Sequence, residues 1–133
     1  MKIYISGPIS GYENSNRPAF NQTALAVRAL GHLPVIPHDI PPWPHDGPCP
    51  RSYAMGGNGD SPHSAACFLR GDLSFMLRVC DALLMLKGWE ASVGARLEHQ
   101  VAASCGMPIY YSLENLPVIK SVLAQEVLGN GIE

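Results

Sequence analysis

The sequence predicts an α/β protein built on an open parallel sheet, and three observations carry that expectation. Four short runs, Lys2 to Ser6, Leu33 to Ile36, Ala82 to Leu86 and Met107 to Tyr111, alternate with longer stretches of helical periodicity. Ala82 to Leu86 is apolar throughout and short enough for a buried strand. It then breaks at Lys87-Gly88-Trp89 and restarts as a helix carrying Gly94, Arg96 and Glu98 in its first turns. A strand, a glycine-containing loop and a helix that opens on polar residues is how such a sheet builds a ligand site. The site lies at the carboxyl ends of the strands, where helix N-termini offer unpaired N–H groups.

Composition narrows the class. With 133 residues the chain has room for one domain with a core, here taken as residues 1–133. A hydrophobic content of 47% with 15% charged residues describes a globular protein and excludes a disordered one. Nine basic and eleven acidic residues give a net charge of −2, and the arginines are scattered. No basic stripe for a nucleic-acid polymer is present, although a single nucleotide remains an easy partner. No apolar run approaches the roughly 20 residues of a membrane span, and MKIYISG reads as a strand rather than a signal peptide. These features predict a cytoplasmic protein without a membrane partner, in which Cys49, Cys67, Cys80 and Cys105 are free thiols.

Each element has its own justification. Lys2 to Ser6 ends at once in Gly7-Pro8, followed by Ser10-Gly11. Such a loop sets backbone N–H groups where a phosphate or sugar could sit, but the G-x-G-x-x-G fingerprint is absent. Simple turn chemistry accounts for these glycines equally well. Asn16 is the expected cap of the first helix, with Pro18 in its first turn. Phe20, Ala24, Val27 and Leu30 recur at helical spacing, and Gly31 stops the helix. The second helix runs from His63 or Ser64 to about Val79, with Leu69, Leu73, Met76, Leu77 and Cys80 as its apolar stripe. The third spans about Ser92 to Ser104 and ends at Gly106; a last one is expected from Pro117 to about Leu128, with Ile119, Val122, Leu123 and Val127 inward.

Residues 37–64 interrupt this rhythm with seven prolines and four glycines in 28 positions. An insert of that length is usually a functional lid or a disordered loop, and Trp43 and Tyr53 favour a lid. His45 and Cys49 are four apart, and so are His63 and Cys67, which would suit a two-His, two-Cys zinc site. The Cys-x-x-Cys pairing typical of structural zinc is missing, so the four read first as ordinary loop and core residues, and no metal is expected.

Geometry separates the carboxylates. Asp81 opens its strand five residues before Leu86, roughly 17 Å from the carboxyl edge, and is expected to be structural. Asp72 lies nine residues earlier on an antiparallel helix, which returns it about 13 Å toward that edge. Glu98 sits in the first two turns of the helix that begins there, so Asp72 and Glu98 can converge. The helix N-terminus favours an ionised Glu98. An inward carboxylate without a partner is costly, which points to a function or an ion pair; the alternative is a common surface glutamate.

Taken in order, Tyr4-Ile5-Ser6-Gly7-Pro8, Arg70-Gly71-Asp72-Leu73, Cys80-Asp81-Ala82 and Gly94-Ala95-Arg96-Leu97-Glu98 resemble the nucleoside 2-deoxyribosyltransferase-like superfamily. The small branch that includes 2'-deoxynucleoside 5'-monophosphate N-glycosidases is nearest. The resemblance covers nearly the whole chain outside 37–64; Trp89, Glu90 and that insert depart from it. It implies a flavodoxin-like three-layer fold with a parallel sheet of four to five strands, a homodimer, and N-glycosidic bond cleavage or transfer on a nucleoside or nucleotide without metal or redox cofactor. Carried over, Glu98 is the nucleophile on the anomeric carbon, and Asp72 protonates the departing base or orients the sugar. Ser92 falls where monophosphate-specific relatives carry a serine, and Gly7, Pro8, Ser10, Gly11 and Gly94 complete the implied substrate site. A non-catalytic nucleotide-binding or sensor module on the same fold is the competing expectation.

Overall fold

The computed structural model describes residues 1–49 and 63–119. Four parallel strands, β1 (Lys2–Ser6), β2 (Leu33–Val35), β3 (Ala82–Met85) and β4 (Ile109–Tyr110), form one sheet in the order β2-β1-β3-β4. The architecture is the expected α/β fold of flavodoxin-like type. Its helices are α1 (Arg17–Ala29), α2 (Ala65–Val79) and α3 (Val93–Ser104). The chain leaves β1 toward β2 on one side and later crosses to β3 on the other. The crevice between the carboxyl ends of β1 and β3 is therefore the switch point where such sheets bind ligands. Ser6 and Met85 are paired there.

Strand alternation divides the core. Ile3, Ile5, Ala82 and Leu84 face α1, where Phe20 and Val27 are fully buried against them. Tyr4, Leu83 and Met85 face α2 and α3, with Met76, Ala95 and Ala102. Each fully buried apolar side chain contributes roughly 1.5–3 kcal/mol, so these two layers hold the sheet edge that carries the site. Among the described residues no helix is long and apolar enough to cross a membrane.

Several local expectations are corrected. Asn16 does not cap α1 through its side chain; its backbone is left-handed (φ 56°), and its Nδ2 donates to the Pro8 carbonyl at 2.8 Å. The amide ties the loop after β1 to the helix instead. Leu77, expected in the α2 stripe, is instead 42% exposed, because α2 turns Cys67, Gly71 and Met76 inward. At Gly71 a Cβ would lie 2.4 Å from the Pro41 carbonyl oxygen, so only glycine lets the segment 41–43 rest on the helix. The strands are also shorter than expected: β2 ends at Val35, β3 at Met85, and β4 holds only Ile109 and Tyr110. The expected helix from Pro117 is described only as far as Ile119, which packs over Gly31; Val122, Leu123 and Val127 lie outside the described residues, as does Tyr53 of the insert.

Candidate active site

Two polar side chains in a buried strand set up the site. Period-two alternation sends Tyr4 and Ser6 of β1 to the α3 side, and both are fully buried. The Tyr4 hydroxyl donates to Glu98 Oε2 and the Ser6 hydroxyl donates to Oε1 at 2.8 Å. Glu98 itself is 5% exposed. The partner that a buried carboxylate requires is thus a pair of hydroxyl donors, not a cation. Among the described residues the ion pair found does not involve Glu98; it joins Arg17 to Asp39 at 3.9 Å. Burial pushes the Glu98 carboxyl up and the two hydroxyls pull it part of the way back, leaving it at about 7. The same burial, with the charges of Glu98 and Asp72, raises Tyr4 well above an ordinary phenol, so it stays a donor.

Asp72 on α2 is half-buried, and its Oδ1 has no hydrogen-bond partner among the described residues. Burial first, and then the Glu98 charge, raise it to about 8. A carboxyl without donors keeps its proton where a neighbour with two donors has begun to lose its own. The two hydroxyl donors favour the ionised form at Glu98, and their lack at Asp72 favours the protonated form there.

Both line a single cavity of about 650 Å³. Gly7, Ser10 and Gly11 enter it from the loop after β1, and Ser92 and Gly94 from the start of α3. Ser92 caps α3, accepting from the Ala95 N–H at 3.2 Å, which leaves the hydroxyl proton able to donate to a ligand. Pro8 is buried beside the cavity and is not in its lining. Asp81 lies away from it, accepting from the Lys2 N–H at 2.8 Å at the far end of the sheet.

Sequence reasoning did not single out Tyr4, Ser6, Arg17 or His38. Tyr4 and Ser6 were legible in principle, as polar residues two apart in an otherwise apolar buried strand. Arg17 and His38 line the cavity from α1 and from a 3-10 turn over Pro37–Asp39. His38 Nε2 donates to the Ser15 carbonyl at 2.8 Å, which makes the unpartnered Nδ1 an acceptor in the neutral ring. Asn14, Ser15 and Asn16 are all left-handed (φ 52°, 54° and 56°), a costly run held at the cavity rim. Trp89 is not in the lining; it stacks on His99 with centroids 4.4 Å apart.

A second cluster lies outside the cavity. One donor atom from each of His45, Cys49, His63 and Cys67 lies within 4.8 Å of the others. No disulfide joins the four cysteines. Burial raises the Cys49 thiol, but hydrogen bonds from Ser64, Cys67 and His45 outweigh it and bring it down to about 6.

The chain is thus an α/β protein that brings two carboxyl groups to the switch point of a parallel sheet. It belongs to the family described as "Domain of unknown function (DUF4406)", which it matches over residues 1–50 and 63–111. Among solved structures it is similar to a 2-desoxiribosyltransferase from Leishmania mexicana, with TM-score 0.53 and 20% identity over 81% of this chain. The chain spans 61% of that structure's length. At this identity the likeness shows the fold. No curated protein matches the chain.

The Glu98 environment gives a direct test. Tyr4→Phe removes one of the two donors while keeping the ring, so the Glu98 carboxyl is expected to rise further above 7, by roughly one pH unit. Carboxyl-carbon NMR titration against wild type reads this; an unchanged midpoint would show that the Tyr4 hydroxyl does not stabilise the carboxylate.

Proposed function

We propose that the protein cleaves or transfers the N-glycosidic bond of a (deoxy)nucleoside 5'-monophosphate through a glycosyl-enzyme intermediate. The observation that carries this reading is the carboxyl pair: Glu98, held by two hydroxyl donors, and Asp72, desolvated and without donors, in one cavity. Retaining glycosyl chemistry needs these two groups in these two protonation states. A Glu98 oxygen attacks the anomeric carbon as the bond to the base nitrogen breaks, and Asp72 gives its proton to the leaving base. Asp72, now ionised, takes a proton from water or from an acceptor base, which attacks the same carbon and frees Glu98. Tyr4 and Ser6 occupy only two of the roughly four lone-pair directions of the carboxylate, so an attacking pair remains.

The monophosphate preference is supported by the resemblance at Ser92, by the positive N-terminus of α3 beside it, and by Arg17 in the lining. A carboxylate at position 92 would repel phosphate; a hydroxyl accepts it. His38 Nδ1 is suited to accept from a sugar hydroxyl. The homodimer implied by the same resemblance, and the cytoplasmic location expected from the sequence, belong to this proposal.

A panel of deoxynucleosides and their 5'-monophosphates, followed by chromatography of free base, tests it. Release is expected from monophosphates and weakly or not at all from unphosphorylated nucleosides. Tight nucleotide binding with silence across the panel would overturn the catalytic reading in favour of a sensor module.

A further inference from the structure

The His/Cys cluster is not used by the chemistry above, and its composition points to a metal. We propose that His45, Cys49, His63 and Cys67 bind a zinc ion that fastens the segment following β2 to the start of α2. The ligand set is two imidazoles and two thiols, which with a divalent ion and both thiols deprotonated is electrically neutral, as a half-buried site requires. A tetrahedron with Zn–S of about 2.3 Å and Zn–N of about 2.0 Å has edges of roughly 3.3–3.8 Å. Four donor atoms already within 4.8 Å of one another need only small side-chain adjustments to reach it.

The surroundings fit a ligand rather than four packed side chains. Cys49 Sγ and Cys67 Sγ are 3.1 Å apart, well beyond the ~2.05 Å of a disulfide. The Ser64 N–H donates to Cys49 Sγ at 2.7 Å, and the Ser64 hydroxyl faces Cys67 Sγ at 3.8 Å. A donor aimed at a ligand sulfur is the kind of outer contact that orients a metal-bound cysteine. Nδ1 of His45 faces the Asp46 carbonyl at 3.4 Å, the outer contact that orients a metal-bound imidazole through its other nitrogen. Cys67 lies in the first turn of α2, where the helix end favours negative charge.

Four protein ligands leave no open position, so the ion is structural. Its place in the fold gives it a task. Trp43 N–H donates to the Cys67 carbonyl at 2.8 Å and Arg70 covers the Trp43 ring, so the segment already rests on α2. Phe68 touches His63 and also lines the cavity, so the ion would set one wall of the candidate active site.

Elemental analysis of the full chain, purified anaerobically under reducing conditions without added metal, should find about one zinc per chain, falling to background in Cys67→Ala and His45→Ala. Cys105→Ala, which removes an exposed thiol outside the cluster, should keep it. Because a ligand variant can fail to fold, cobalt(II) is added to the metal-stripped wild type. A tetrahedral visible spectrum with sulfur-to-cobalt charge transfer, saturating at about one ion per chain, is expected. Background zinc with a silent cobalt titration would overturn the proposal. So would undiminished zinc in a folded Cys67→Ala chain, or a Cys49–Cys67 disulfide in the anaerobic protein.

Discussion

Glu98→Gln is expected to lower base release by a factor on the order of 10⁴ while leaving the chain folded. The amide is nearly isosteric, and its carbonyl oxygen can still accept from Tyr4 or Ser6. What it lacks is a charge and a nucleophilic pair, so the glycosyl ester of the proposed mechanism cannot form. Folding does not suffer for want of the charge, since the buried carboxylate is disfavoured by its surroundings. Asp72→Asn should behave differently. It keeps the nucleophile and loses the acid, for a drop of roughly 10²–10³, smallest with leaving groups that depart without protonation. Chromatographic base release at matched concentrations separates the two, with mass spectrometry for a trapped adduct on Glu98. A fully active Glu98→Gln protein would remove Glu98 from the mechanism.

The fold could be read because its signals are local: apolar runs of strand length, helical periodicity and glycine stops each lie within about a dozen residues. The meeting of Asp72 and Glu98 in one cavity followed from element lengths alone, since helices antiparallel to strands return to a common edge. What escaped was the identity of partners. Glu98 was expected to need an ion pair or a function to justify an inward charge. Its stabilisation comes instead from hydroxyls 92 and 94 positions earlier in the chain, a contact that exists only once β1 and α3 are packed. Asn16 shows the same limit at short range. The residue type suited a cap, but the left-handed backbone turned its amide to Pro8. The His/Cys spacing was visible without the Cys-x-x-Cys signature, and only the approach of the segment 41–49 to α2 brings both halves together.

Stability should fall as pH rises through neutrality, and the Glu98 and Asp72 carboxyls should be the cause. Glu98 goes from 4.5 to about 7 on folding and Asp72 from 3.8 to about 8. Between those limits the folded chain holds protons that the unfolded chain has released. For a raised carboxyl the contribution is fully present below the unfolded value and is lost as pH climbs through the folded one. The window is therefore about pH 4 to 8. Glu98 alone corresponds to roughly 3 kcal/mol. Asp72, raised by burial first and by the Glu98 charge second, adds to this, so the pair amounts to several kcal/mol. That is a large share of an ordinary domain's 5–15 kcal/mol. Urea midpoints between pH 6.5 and 8.5 should decline for wild type and stay nearly level for Asp72→Asn/Glu98→Gln. At pH 8.5 the double variant should be the more stable protein and the inactive one, the trade expected where a site is desolvated for chemistry. Parallel slopes for the two proteins would mean that the carboxyls are not held as described, and the acid–base assignment of the site would fall with them.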